Sequence, residues 1–120
     1  MQRDRLLVEE MIDAAEQCRI LTDGASLEEL STDRPRRDAL LWNFTVLGEA
    51  AAQVSDETKA RFTDVEWAQP SRLRNRVVHG YWSIDLEILH TTARDLLPDF
   101  VAQLRCVIAS LTSEEADPSN

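Results

Sequence analysis

The chain has 120 residues, with 13 Lys and Arg against 22 Asp and Glu, so its formal charge is −9. This length and an apolar content of 43% are typical of a single globular domain that needs no metal or disulfide. No apolar run approaches the ~18–20 residues that a membrane span needs. The acidic balance argues against a protein that coats nucleic acid through a generally basic surface, because such binding relies on Lys and Arg.

The two cysteines, Cys18 and Cys106, form no CxxC or Cys/His pattern, which excludes zinc-ribbon and thioredoxin-like proteins. Each lies in an apolar pattern of helical spacing, so we expect two reduced, buried thiols in a cytoplasmic protein. The carboxylates show no EF-hand, HExxH or Walker pattern. The sequence therefore predicts no metal site and no cofactor.

In the first half of the chain, the spacing of apolar residues and the capping residues predict two long helices with a short one between them. Residues 4–22 carry apolar residues at steps of three and four, and Asp23-Gly24 ends this helix. The capping box Ser26-Leu27-Glu28-Glu29 begins a short helix to about Leu30. Residues 36–54 predict the second long helix, with Pro35 in its first turn. Gly48 lies inside its buried stripe, which suggests close approach of another helix.

The second half predicts a short helix, a third helix and a long last helix. Ser55 is placed to cap the short helix, which ends near Phe62, and Trp67 anchors the connector that follows. The third helix starts at Pro70 or Ser71 and ends at Gly80. Ser83 is placed to cap the last helix, which runs from about Ile84 to Leu111, and Pro98 should kink it.

No segment alternates with period two, so the predicted fold class is all-α. We expect one domain over residues 1–111, an up-and-down bundle of about four main helices plus short ones. The remaining residues, 112–120, are polar and acidic and predict a disordered tail.

Residues 72–81 stand out because three arginines and a histidine fall within eight residues of an acidic chain. Leu73 and Val77 form an i, i+4 apolar pair that would anchor this helix in the core. The other side chains then divide between two flanks, with Arg72, Arg76 and His79 on one and Arg74, Val78 and Tyr81 on the other. Guanidinium groups match phosphate oxygens, so the segment predicts an anion site.

His79 is the side chain in this segment that can move protons near neutral pH. Together with an arginine it suits metal-independent RNA cleavage, in which the 2′-OH attacks the adjacent phosphate and the guanidinium stabilises the phosphoryl oxygens. From spacing alone, the alternative is a solvated surface patch. We interpret His90 as structural, and Glu49 and Gln53 as a solvated or interface face of the second helix.

The stretch RNRVVHGY, residues 74–81, resembles the R-N-x-x-x-H-x-Y signature of HepT-like proteins, a branch of the HEPN superfamily. The stretch ALLWNFTVLGEAAAQVS is similar to the family's second helix, with its Gly-Glu-Ala element at residues 48–50. The Trp67 connector, the restart at residues 83–85 and the pair Leu97-Pro98 also match. The resemblance covers about residues 4–108.

This resemblance implies a HEPN-like helical bundle that forms a homodimer, with the motifs of two subunits lining one cleft. It implies a ribonuclease toxin that acts on RNA and is paired with a minimal nucleotidyltransferase antitoxin, which can transfer AMP to the motif tyrosine. Carried over to this sequence, Arg74 and His79 would be catalytic and Asn75 would help to position the arginine. Tyr81 would be a site residue and the target of AMP addition.

Two arginines satisfy the family's spacing, since Arg72 lies at the six-residue distance from His79 and Arg74 at the four-residue distance. We take Arg74 as the motif arginine because Asn75 follows it, and Arg72 and Arg76 as auxiliaries that bind phosphate. On an ideal helix Arg74 and His79 point about 140° apart. A two-fold cleft would bring Arg74 of one chain towards His79 of the other.

Two alternatives to a nuclease remain open at the level of the sequence. One is a non-catalytic helical subunit that binds nucleotide or RNA beside a nucleotidyltransferase. The other is a helical assembly protein whose arginines only solvate a surface.

Overall fold

A computed structural model describes residues 2–80 and 85–116, with the description of His79 and Ala116 limited to the backbone. The helices in these ranges are α1 (Gln2–Thr22), α2 (Leu27–Thr32), α3 (Arg34–Gln53), α4 (Asp56–Arg61), α5 (Ala68–His79), α6 (Leu86–Thr91) and α7 (Leu97–Ala116). No strand occurs in the two described ranges. The predicted all-α fold class is confirmed.

Side-chain caps fix the beginnings of the helices in the first half of the chain. The Ser26 hydroxyl accepts a hydrogen bond from the Glu29 amide at 3.1 Å, and the Ser55 hydroxyl accepts one from the Thr58 amide at 3.2 Å. Asp33 caps α3, and Pro35 lies in the first turn of that helix. These caps satisfy amide groups that have no partner inside the helix. The predicted starts of α2 and α4 are confirmed.

The main bundle consists of α1, α3, α5 and the α6–α7 segment. Helix α1 packs against both α3 and α7, and α3 also packs against α5. Arg3 Nη2 lies 2.9 Å from Gln53 Oε1, and Arg5 Nε lies 2.6 Å from Glu115 Oε2. Because these contacts join the start of α1 to the ends of α3 and α7, α1 runs antiparallel to both. The largest fully buried apolar side chains are Met11, Leu30, Leu40, Phe44, Leu47, Leu89, Leu104 and Leu111.

The long last helix differs from its prediction at three points. Asp85 is not helical and its side chain accepts from the Glu87 amide, so the helix begins at Leu86 and not at Ile84. Ser83 and Ile84 lie outside the described residues. A π-helical turn, Thr92–Leu96, joins α6 to α7 and lies directly before Pro98. Proline removes one amide donor, and the wider π turn accommodates that loss within a continuous helix.

The third difference is the end of the last helix. Helix α7 continues to Ala116, so the predicted disordered tail is wrong for residues 112–116. Two ion pairs support the extra turn, Arg5–Glu115 at 2.6 Å and Arg61–Glu114 at 2.5 Å. Residues 117–120 lie outside the described part of the chain.

The prediction of two buried thiols is correct for Cys18 and wrong for Cys106. Burial raises the pKa of Cys18 to about 12. Cys106 follows the buried Leu104 by two residues, which places it about 200° around the helix on the opposite, exposed face.

The stretch Leu86–Glu115 is long and apolar enough to cross a membrane, by length and composition alone. The core helix of a globular bundle meets the same criterion of length and composition. Here Val101, Leu104 and Val107 are buried within the bundle.

Candidate active site

Helix α5 carries the basic segment and is anchored by apolar side chains. It begins at Ala68, two residues before the predicted start, and ends at Gly80 as predicted. Val77 is buried and Leu73 is half-buried against the core, as predicted for this i, i+4 pair. Trp67 precedes the helix, is itself buried, and donates from its indole nitrogen to the Phe62 carbonyl at 3.0 Å. The apolar side of α5 is therefore fixed, and its charged side chains emerge on either flank.

Gly48 marks the place where α3 and α5 cross at close range. A Cβ added at this position would lie 2.5 Å from the Pro70 carbonyl oxygen and would collide with Cβ of Arg74. The Ser71 hydroxyl donates to the Gly48 carbonyl at 3.2 Å. The close helix approach suggested by the sequence is confirmed, and it positions α3 directly against Arg74.

Arg74 lies in this crossing and forms an ion pair with Glu49 through its Nη1 atom. The Arg74 side chain is 23% exposed and that of Glu49 is 54% exposed. The Nε atom of Arg74 is buried and has no hydrogen-bond partner among the described residues. Asn75 is exposed, so the described contact that holds Arg74 comes from α3 and not from its chain neighbour.

Arg72 and Arg76 lie on the other flank of α5, as predicted, and both are exposed. They line a groove of about 590 Å³ between α5 and the α6–α7 segment. Its floor includes Phe44, Leu73 and Phe100, and its rim also carries Glu66 and Asp99. Neither arginine forms an ion pair with a described residue, so no described carboxylate occupies either guanidinium.

The remaining predicted site residues are His79 and Tyr81. His79 is the last residue of the helix, and its side chain is outside the described part of the structure. Tyr81 also lies outside the described residues. The structure thus brings Arg72, Arg74, Asn75, Arg76 and the backbone of His79 onto one short helix.

Comparison with known families identifies the family to which the chain belongs. A family model described as "Ribonuclease HepT-like" matches residues 11–107, which include α5 and most of α7. The chain belongs to the HepT-like family.

Curated members related to this HepT-like chain carry ribonuclease names. A probable ribonuclease HepT of Thermococcus cleftensis is 22% identical over 91 residues, which cover 76% of this chain and 83% of that protein. A putative RNase of Methanocaldococcus jannaschii is 22% identical over 94 residues, 78% of each chain. A putative RNase of Caldanaerobacter subterraneus is 21% identical over 96 residues, 78% of this chain and 86% of that protein. No solved structure matches the chain.

Glu49 forms a contact that the sequence did not predict. Its side chain is 54% exposed, as expected for a solvated face of the second helix, and it also pairs with Arg74, 25 positions further along the chain. The available signal was its place directly after Gly48, the glycine that suggested a helix crossing. Gln53, in contrast, contacts Arg3 of α1 and lies outside the site. His90 contacts the Ala25 carbonyl oxygen at 2.9 Å through Nε2, which agrees with a structural role.

Proposed function

We propose that this HepT-like chain is a metal-independent endoribonuclease and the toxin of a toxin–antitoxin pair. The observation that carries the proposal is the placement of Arg74 and His79 on one helix, α5, inside a family match that covers residues 11–107. The unpaired charges of Arg72 and Arg76 in an otherwise acidic chain support an anionic substrate.

In the proposed reaction the RNA supplies its own nucleophile. The 2′-oxygen bonds to the adjacent phosphorus while the bond to the 5′-oxygen breaks, which leaves a 2′,3′-cyclic phosphate and a 5′-hydroxyl end. His79 takes the proton from the 2′-OH, and the imidazolium so formed returns that proton to the leaving 5′-oxygen. The guanidinium of Arg74 stabilises the negative charge that develops on the phosphoryl oxygens.

We propose that the active form is a homodimer in which α5 of each subunit borders a shared cleft. Trp42 lies two helical turns before Glu49 on the same face of α3, and Val78 lies one turn after Arg74 on α5. These apolar side chains are 65% and 52% exposed. Exposed apolar side chains on the faces of α3 and α5 that carry Glu49 and Arg74 support a subunit contact on this side of the bundle.

The regulation we propose uses Tyr81, which follows the last residue of α5 by two positions in the sequence. A nucleotidyltransferase antitoxin transfers AMP from ATP to the tyrosine oxygen and releases pyrophosphate. The added phosphate is an anion that the arginines of α5 would attract, so the modified tyrosine would compete with RNA by charge and by volume.

The deciding experiment is cleavage of a mixed RNA pool in excess EDTA by the wild type, Arg74→Ala and His79→Ala. We expect the wild type to leave 2′,3′-cyclic phosphate ends, and neither Arg74→Ala nor His79→Ala to do so. Arg105→Ala is the matched control, since it removes an exposed arginine from α7 outside the site and should cleave like the wild type.

Identical traces from the wild type and His79→Ala would overturn the nuclease proposal. RNA or nucleotide binding without cleavage would then favour the alternative, a non-catalytic subunit that acts beside a nucleotidyltransferase.

A further inference from the structure

We infer that Glu49 is a positioning residue, which holds the guanidinium of Arg74 so that one defined edge faces the RNA phosphate. The inference rests on the proposed function, since it takes Arg74 as the residue that stabilises the reacting phosphate. It concerns α3, a helix outside the R-N-x-x-x-H-x-Y signature that α5 carries.

The backbone crossing fixes the two partners relative to each other. Gly48 allows α5 to approach α3 to the point where a Cβ would collide, and Ser71 bonds to the Gly48 carbonyl at 3.2 Å. Glu49 follows Gly48 in α3, so the crossing fixes the backbone position of Glu49. It also fixes the backbone position of Arg74, which contacts Gly48 from α5. The ion pair between them therefore joins two rigid elements and not two mobile loops.

The contact also limits how Arg74 can meet a second anion. A guanidinium is planar and carries its five N–H groups in a fixed fork, so a contact at one nitrogen restricts the orientation of the whole plane. Nη1 is bound to Glu49, and Nε is buried without a partner among the described residues. The edge at Nη2 is the part that remains for a phosphate oxygen.

Besides positioning Arg74, which favours catalysis, Glu49 carries a negative charge that disfavours substrate binding. A carboxylate beside the site repels the RNA phosphates and weakens binding. Its positioning effect instead raises the rate of the bound complex, because catalytic groups act only in the correct geometry. The two effects are separable, since the first depends on the charge of residue 49 and the second on its hydrogen-bond acceptor.

The experiment compares kcat and KM for RNA cleavage in the wild type, Glu49→Ala and Glu49→Gln. We expect Glu49→Ala to lose at least about tenfold in kcat, since loss of precise placement costs turnover, while KM falls or stays unchanged. Glutamine keeps an acceptor for Nη1 without the charge, so Glu49→Gln should regain most of the lost kcat and show the lower KM.

Glu114→Ala is the matched control. Glu114 also pairs with an arginine, Arg61, and its side chain is 48% exposed, close to the 54% of Glu49. This variant should retain the kcat and KM of the wild type. A melting temperature for each variant shows that the folded fraction is the same, so that a change in kcat reports on the site.

Two results would overturn the inference while leaving the nuclease intact. One is a Glu49→Ala protein with wild-type or higher kcat, which would show that the carboxylate only neutralises the charge of Arg74 and does not position it. The other is an equal loss of kcat in Glu49→Ala and Glu49→Gln, which would assign the effect to charge and not to placement. A wild type that does not cleave, or an Arg74→Ala protein that cleaves normally, instead overturns the proposed function together with the inference.

Discussion

Asp4 is a carboxylate that the fold buries at the start of α1, where only 3% of it remains exposed. Its oxygens accept hydrogen bonds from the Ser55 amide at 3.0 Å, the Ser55 hydroxyl at 2.5 Å and the Thr58 hydroxyl at 2.6 Å. Burial by itself would raise the pKa of Asp4, but the hydrogen bonds outweigh it and hold the pKa below its ordinary value of 3.8. Asp4 thus ties α1 to the N-cap of α4.

We expect Asp4→Asn to lower the free energy of unfolding at pH 7 by about 1–3 kcal/mol, because the amide cannot accept all three hydrogen bonds. A carboxyl group whose pKa is lowered on folding contributes stability above its unfolded pKa of 3.8. That contribution disappears as the pH falls through the lower folded value. Urea denaturation at pH 7 and near pH 2–3 should show the gap between wild type and variant closing in acid.

Asp13→Asn is the control, because Asp13 is exposed on the same helix. It should change the free energy of unfolding by no more than about 0.5 kcal/mol. A gap between wild type and Asp4→Asn that stays constant with pH would contradict the protonation argument.

Residues such as Asp4 and Glu49 show where sequence reasoning stops at the residue scale. The importance of each depends on a partner that is distant along the chain, Ser55 in one case and Arg74 in the other. Spacing within one helix identifies neither pair. Ser26 and Ser55, by contrast, were predicted as caps because their partners lie only three residues away.

At the scale of elements, the crossing of α3 and α5 does most to position the candidate site. A glycine inside a helix costs up to about 1 kcal/mol relative to alanine, so its presence at position 48 needs a compensating contact. The compensation is the close approach of Pro70 and Arg74. The sequence predicted that α3 is approached by another helix, but not that the approaching helix is α5.

Gly48→Ala tests this crossing because two effects oppose each other. Helix propensity alone predicts a gain of up to about 1 kcal/mol. The collision with Pro70 and Arg74 predicts a net loss of about 1–3 kcal/mol, as for other overpacked cores. We therefore expect urea denaturation to show a lower free energy of unfolding for Gly48→Ala than for the wild type. Ala52→Gly, at an exposed position of α3, is the control that measures helix propensity alone. A more stable Gly48→Ala protein would show that the helices do not meet closely there.

In the last helix, the sequence predicted the place of an irregularity but not its type. It predicted a kink at Pro98, and the structure has a π turn at Thr92–Leu96, just before this proline. A missing amide donor can be accommodated by a kink, a break or a wider turn, and the choice depends on packing around the helix. Local sequence therefore located the disturbance without determining its shape.

At the scale of the whole molecule, the charge distribution separates the candidate site from the rest of the surface. The chain carries a formal charge of −9, and Arg5, Arg61 and Arg94 are each paired with a carboxylate. Arg72 and Arg76 have no such partner among the described residues and stand together on one groove. Two neighbouring arginines that line one groove of a chain with net negative charge favour a local anion site over general binding of nucleic acid.

The proposed homodimer leads to a prediction about which chain supplies which residue. Arg74 and His79 point about 140° apart on an ideal helix, so the two side chains need not act on the same phosphate from the same subunit. If each site combines Arg74 of one subunit with His79 of the other, then Arg74→Ala and His79→Ala are inactive alone. Mixed at equal concentration after dissociation, half of the dimers are heterodimers with one intact site of two, which gives about a quarter of wild-type activity. Cleavage assays on the separate and mixed proteins measure this directly, and a mixture as inactive as its components would show that each site is built within one chain.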